Sequence, residues 1–150
     1  MELKIPPVVV FLICLVCVFG VHYLLSDFSY DFLYRKTISR IFLIAGALSG
    51  VLGVLVFRLN STTVDPTKPD KASRLVTTGI YQYTRNPMYL GLALVLLGGI
   101  VRIGNPIGFV FLVLFVSYMT RFQIRPEEKA LEEIFGEVFV DYKRSVRRWI

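Results

Sequence analysis

Three stretches of the chain carry side chains capable of chemistry. The first is Gly79-Ile80-Tyr81-Gln82-Tyr83-Thr84-Arg85-Asn86-Pro87-Met88-Tyr89-Leu90-Gly91. Proline is favoured at the first position of a helix, so Pro87 is expected to open one. The free N–H groups and positive dipole end of that helix then point at whatever lies above, which suits a carboxylate or a phosphate. Arg85 adds a fixed positive charge, and Tyr81, Tyr83 and Tyr89 add aromatic walls with hydroxyl groups. The same residues also fit an interfacial aromatic belt with a snorkelling arginine. The second stretch is Arg125-Pro126-Glu127-Glu128. Adjacent carboxylates beside an apolar run are costly unless they are solvated, paired or used. They can hold a cationic or hydroxyl-bearing ligand, or merely complement the dipole of a helix that starts at the proline. The third is Phe135-Gly136, Tyr142 and the basic run Arg144, Arg147, Arg148 with Trp149, which equally fits a tail anchored on anionic lipid.

The elements that must position these residues are membrane helices. Apolar residues make up 55% of 150, and they fall in long uninterrupted runs. Four spans are expected, at about residues 6–25, 38–57, 88–101 and 106–122, within a single integral membrane domain. Arg102-Ile103-Gly104-Asn105-Pro106 is a tight turn, so the last two spans read as a short helical hairpin. After them Leu131, Ile134, Phe135, Val138, Phe139 and Tyr142 recur at three- and four-residue steps, the pattern of a C-terminal amphipathic helix on the cytoplasmic side. The fold class is therefore an all-α membrane protein. The first span, with Lys4 before it, is too long for a signal-peptide core and is read as a retained helix. In the second, Gly46, Gly50 and Gly53 form a small-residue face that packs within one chain or between two.

Charge orients the bundle. Thirteen of the 17 Lys and Arg residues fall on the side of the N-terminus, the Arg58–Arg85 loop and the tail. Only Arg35, Lys36, Arg40 and Arg102 fall on the other. By the positive-inside rule both termini and all three chemical stretches are cytoplasmic. The net charge of +6 is thus a topology signal, and no nucleic-acid partner is expected. Cys14 and Cys17 lie inside the first span without a second pair or a nearby histidine, so they are small apolar packing residues and no metal site is expected. The single histidine, His22, falls near the far end of that span.

Taken in order, an aromatic-rich G-x-Y-x-Y-x-R-x-P-x-Y-x-G segment opens a helical hairpin, and a Glu-Glu pair, Phe-Gly, Tyr and a basic tail follow it. From Thr62 to Ile150 this order resembles the isoprenylcysteine carboxyl methyltransferase and phospholipid methyltransferase superfamily of integral membrane enzymes. The resemblance implies that S-adenosylmethionine binds a cytosol-facing pocket built from residues 62–91 and 121–150 and leaves as S-adenosylhomocysteine. Carried over by position, it implicates Gly79, Tyr81, Arg85, Asn86, Pro87, Tyr89, Gly91, Glu127 and Glu128 in holding the cofactor. Arg85, Glu128 and Arg125 are the residues expected to serve catalysis, and Arg121, Arg125, Arg147 or Arg148 could steer an anionic acceptor. Asn86 stands where members commonly carry histidine, and Gln123 stands where an arginine often precedes the acidic pair.

Methyl transfer from a sulfonium is an in-line displacement that asks for alignment and exclusion of water. With no histidine near, the acceptor is expected to be already nucleophilic, as a carboxylate or thiolate is; a protonated amine needs a base such as Glu or Tyr. The favoured acceptor is a prenylcysteine-type carboxylate on a lipophilic or lipid-attached molecule, entering from the bilayer of a prokaryotic cell membrane. A phospholipid amine is the second reading, and a non-catalytic subunit or scaffold the third.

Overall fold

The computed structural model describes residues 5–59 and 75–150. Lys4, Lys68, Lys71 and Arg74, counted above for orientation, and positions 62–74 of the expected cofactor segment lie outside the described residues. Within them all regular structure is helical: α1 (Pro7–Leu24), α2 (Arg35–Leu59), α3 (Pro87–Ile103), α4 (Gly108–Tyr118), α5 (Arg125–Phe135) and α6 (Glu137–Ser145). Pro7 and Pro87 each stand in the first turn of a helix, where a missing N–H costs nothing.

The protein is an integral membrane protein. Helices α1, α2 and the run Gly108–Phe135 are each long and apolar enough to cross a bilayer. Helix α3 has 17 residues, and at ~1.5 Å per residue it falls a little short of the hydrocarbon core. It is lined on one side by α2 and touches α1 and α4 on the other. The core joins Val10, Cys14 and Val18 of α1 to Leu96 and Ile100 of α3 and to Phe115, Met119 and Ile124. Cys14 is thus a packing residue in a helix seam, and both cysteines are free.

The most extensive contact is between α2 and α3, and glycine makes it possible. A Cβ added at Gly46 would lie 2.7 Å from the Gly91 carbonyl, and one at Gly91 the same distance from the Gly46 carbonyl. The Gly91 position also abuts the Gly50 backbone. The small-residue face therefore packs inside one chain, by backbone-to-backbone approach. Two hydroxyls fasten the same seam: Ser39 Oγ donates to the Gly98 carbonyl at 2.8 Å and Ser49 Oγ to the Pro87 carbonyl at 2.7 Å. Both serines are buried, so a carbonyl partner is needed as well as available.

Two elements differ in detail from the sequence expectation. The fourth span does not stop near residue 122; helix runs without a break from Gly108 to Phe135. Pro126 sits inside that run, and a π turn over Met119–Ile124 precedes it, with the Arg125 N–H reaching back five residues to the Thr120 carbonyl. Widening the turn accommodates a residue that has no N–H of its own to offer. The amphipathic tail is two helices, because Gly136 adopts φ +55° between α5 and α6, a conformation that favours glycine.

The bundle has two distinct ends. At one, Asn105 Nδ2 donates to the Leu25 carbonyl at 2.9 Å and the Tyr30 N–H to the Gly104 carbonyl at 2.9 Å. His22, bonded to Ser29 Oγ at 3.2 Å, is near this end. At the other, the close of α2 meets the start of α3, where Gly53 faces Pro87 and Met88.

Candidate active site

The start of α3 is built by the turn before it. Gly79 takes φ +62° and opens a 3-10 turn over Gly79–Gln82. That turn swings Tyr81 inward, 4% exposed, with its ring 5.1 Å from that of Phe57, while Tyr83 points out at 77%. Tyr142 of α6 donates its hydroxyl to the Tyr81 carbonyl at 2.7 Å, locking α6 onto this turn. Burial pushes both phenols, Tyr81 and Tyr142, above the usual tyrosine range, so each remains a donor.

Helix α5 brings the acidic pair to the same place. Glu127 and Glu128 are adjacent, so they leave the helix about 100° apart and meet different partners. Glu127 Oε1 accepts from Tyr89 Oη at 2.5 Å and from Gln123 Nε2 at 2.7 Å. Glu128 faces two cations. Arg85 Nη2 lies 2.9 Å from its Oε1, and Arg148 donates to both oxygens, Nε at 3.0 Å and Nη2 at 2.6 Å. The second contact has the paired fork geometry that makes arginine–carboxylate bonds strong. Burial depresses the Arg85 pKa, and Glu128 works against that shift. The hydrogen bonds to Glu128 raise that of Arg148.

These groups border one cavity. Phe57, Tyr81, Arg85, Tyr89, Glu127 and Glu128 contribute to its wall, with Ile124, Leu131, Phe139 and Tyr142. Its volume is about 110 Å³, against roughly 300–1,000 Å³ for pockets that enclose a drug-sized ligand. As it stands it encloses part of such a molecule. Two buried donors on this wall, Tyr81 Oη and Arg85 Nε, have no hydrogen-bond partner among the described residues. An unmet buried donor costs about 1–3 kcal/mol, which an incoming acceptor would recover.

The expected site residues separate into two groups. Tyr81, Arg85, Asn86, Pro87, Tyr89, Glu127 and Glu128 all line the cavity. Gly79, Gly91 and Arg125 do not. Gly79 shapes the turn, and Gly91 faces α2 because the helix crossing needs its bare backbone. Arg125 is exposed at the head of α5, one helical step away from the acidic pair. Gln123 and Arg148 are the partners that sequence reasoning had not paired with the acids. The first was signalled by its spacing, four residues before Glu127 on one helix face. Nothing local signals the second, since Arg148 reaches Glu128 from 20 residues further along the chain.

The phospholipid methyltransferase profile matches residues 34–138. An uncharacterized protein of Haemophilus influenzae is 40% identical over 63 residues, covering 42% of this chain and all of that one. The protein-S-isoprenylcysteine O-methyltransferase of Saccharomyces cerevisiae is 36% identical over 83 residues, covering 53% of this chain and 34% of the yeast protein. That of Homo sapiens is 38% identical over 72 residues, covering 48% of this chain and 25% of the human protein. The chain thus spans about a third or less of the length of these two named relatives. No solved structure matches the chain at a significant level. The matched region runs from the start of α2 through α6's first turn, taking in Tyr81–Tyr89 and Glu127–Glu128, and on that extent the chain belongs to the phospholipid methyltransferase family.

Proposed function

We propose that this protein is an S-adenosylmethionine-dependent methyltransferase acting on a lipophilic or lipid-attached acceptor, with O-methylation of a prenylcysteine-type carboxylate favoured. One observation carries the reading: Arg85 and Tyr89 meet Glu127 and Glu128 around a single cavity, about 40 residues apart in the chain. A helix cap explains an acidic pair, but not why both acids are spent on partners from another element.

The residues fit the donor molecule in kind. Bound S-adenosylmethionine supplies an electrophilic methyl group on a cationic sulfonium, together with an amino-acid end. Glu127, hydrogen-bonded by the neutral Tyr89 and Gln123, offers carboxylate oxygens to a positive centre. Tyr81 Oη and Arg85 Nε offer donors to a carboxylate. Phe57, Leu131 and Phe139 exclude water from the space between, and alignment in a dry cavity is most of what the displacement requires. No residue need act as a base when the acceptor is a carboxylate.

The proposed orientation puts the cavity at the cytoplasmic face of a prokaryotic cell membrane. Arg58, Arg121, Arg125, Lys129, Lys143, Arg144 and Arg147 lie toward this end of the bundle by their places in the helices, and the positive-inside rule assigns such an end to the cytosol. The acceptor then reaches the cavity from the bilayer. The second reading is a phospholipid acceptor, as the family's description has it, methylated on its amine.

Calorimetry of the detergent-purified protein with S-adenosylhomocysteine tests the cofactor reading. Micromolar binding is expected, and no binding at millimolar concentration would overturn it in favour of a scaffold. Transfer of a labelled methyl group to an S-prenylated cysteine, compared with phosphatidylethanolamine vesicles, then separates the two acceptors.

A further inference from the structure

Beyond α6 the chain turns extended at Val146 and runs back past the start of α3, beside Arg85 and Asn86 of the cavity wall. Four contacts hold residues 147–149 there. The Arg85 N–H donates to the Arg147 carbonyl at 3.1 Å. Asn86 Nδ2 donates to the Arg148 carbonyl at 2.9 Å, and Thr84 Oγ1 reaches the same oxygen at 3.4 Å. Trp149 Nε1 donates to Thr120 Oγ1 at 3.2 Å. The consequence is that the Arg148 guanidinium is delivered to Glu128.

Asn86 occupies a telling position. It is the N-cap of α3, where an asparagine side chain ordinarily bonds the free N–H groups of the first turn. It makes no such cap. Its amide goes to the Arg148 carbonyl instead, and its own N–H is taken by Thr84 Oγ1 at 3.2 Å. A cap contributes about 1 kcal/mol, so the local optimum has been surrendered for a contact with a segment 62 residues away.

We propose that Asn86 is a positioning residue: it clamps the 147–149 segment against the cavity wall, so that Arg148 completes the Glu128 cluster on which ligand binding depends. Asn86 acts through the segment, not through the ligand. This builds on the cofactor reading above, but the clamp itself has an independent reporter. Trp149 is the protein's single tryptophan and lies on the clamped segment.

The test is a set of substitutions at Asn86 in the full chain in detergent, read by acrylamide quenching of Trp149 and by calorimetry with S-adenosylhomocysteine. Asn86→Ala and Asn86→Asp remove the donor, since neither presents an N–H to the Arg148 carbonyl. Both are expected to raise quenching at least twofold and to weaken binding by about three- to tenfold, the range of one hydrogen bond. Asn86→His restores a ring N–H and is expected to recover both properties. Arg148→Ala added to Asn86→Ala is expected to weaken binding little beyond Arg148→Ala alone, because the clamp works through that side chain. Weakened binding with unchanged quenching would overturn the proposal, since it would make Asn86 a direct ligand contact. Raised quenching with unchanged affinity would overturn it too, by separating the segment from the site. If the wild type binds no S-adenosylhomocysteine, the cofactor reading fails, and unchanged quenching in Asn86→Ala would still dismiss the clamp.

Discussion

Glu127 and Glu128 are consecutive residues whose carboxylates are held by different kinds of partner, the first by two neutral donors and the second by two guanidinium groups. Neighbouring positions on a helix diverge by about 100°, so a doublet can address two sides of one cavity. The division gives each acid a separate consequence when it is changed.

Glu128→Gln leaves Arg85 and Arg148 facing one another across a neutral amide, with Arg85 only 10% exposed. A buried cation without its anion is strongly destabilising. A lowered melting temperature and at least a tenfold loss of S-adenosylhomocysteine affinity are expected, measured by thermal unfolding in detergent and by calorimetry. Glu127→Gln keeps an oxygen for Tyr89 and Gln123, so its melting temperature is expected to stay within a few degrees while affinity falls. Equal loss of stability in both variants would contradict this division.

Tyr81→Phe removes a hydroxyl that has no hydrogen-bond partner among the described residues. The apo protein is expected to be as stable as the wild type or more so, by up to about 1 kcal/mol, because an unmet buried group is deleted. Affinity for S-adenosylhomocysteine is expected to fall several-fold, while that for 5′-methylthioadenosine, which lacks the amino-acid end, stays level. A parallel loss for both ligands would show that this hydroxyl does not serve a carboxylate.

Gly46→Ala and Gly91→Ala each place a methyl group within 2.7 Å of a carbonyl oxygen across the α2–α3 seam. The helices must then separate, with the start of α3 and its cavity moving too. Both variants are expected to lower the melting temperature markedly and to weaken ligand binding. At Gly50 an added Cβ meets nothing within 4 Å. Gly50→Ala is expected to be neutral or stabilising, by up to about 1 kcal/mol from helix propensity.

Burial raises the pKa of Tyr81 and Tyr142 above the ordinary value of 10.0. An acid with a raised folded pKa keeps its full stabilising effect below the unfolded value. That effect is lost as pH rises beyond it, because the unfolded chain then gives up the proton first. The melting temperature is therefore expected to show no tyrosine-dependent change from pH 7 to 9 and to decline above about pH 10. Tyr81→Phe is expected to blunt the decline. A decline of the same slope in that variant would show that other groups cause it.

The linear sequence was enough to determine that this is a helical membrane protein and roughly where each helix lies, because the apolar runs, Pro87 and the Arg102–Pro106 turn are all local signals. It also singled out Arg85, Tyr89, Glu127 and Glu128 as candidates, and these four line one cavity. Boundaries held less well where two local signals competed. Pro126 and its charged neighbours look like a start, yet the π turn lets the helix pass through them. What only the tertiary structure decided is who meets whom. Gly91 looks the same on paper whether it admits a ligand or a helix, and the crossing with Gly46 chose the helix. Asn86 and Arg148 carry no common pattern, and they meet because α6, locked to Tyr81 through Tyr142, directs the following chain back over the start of α3. Periodicity records which face of an element is buried; partners far apart in sequence are fixed by packing, which no local window contains.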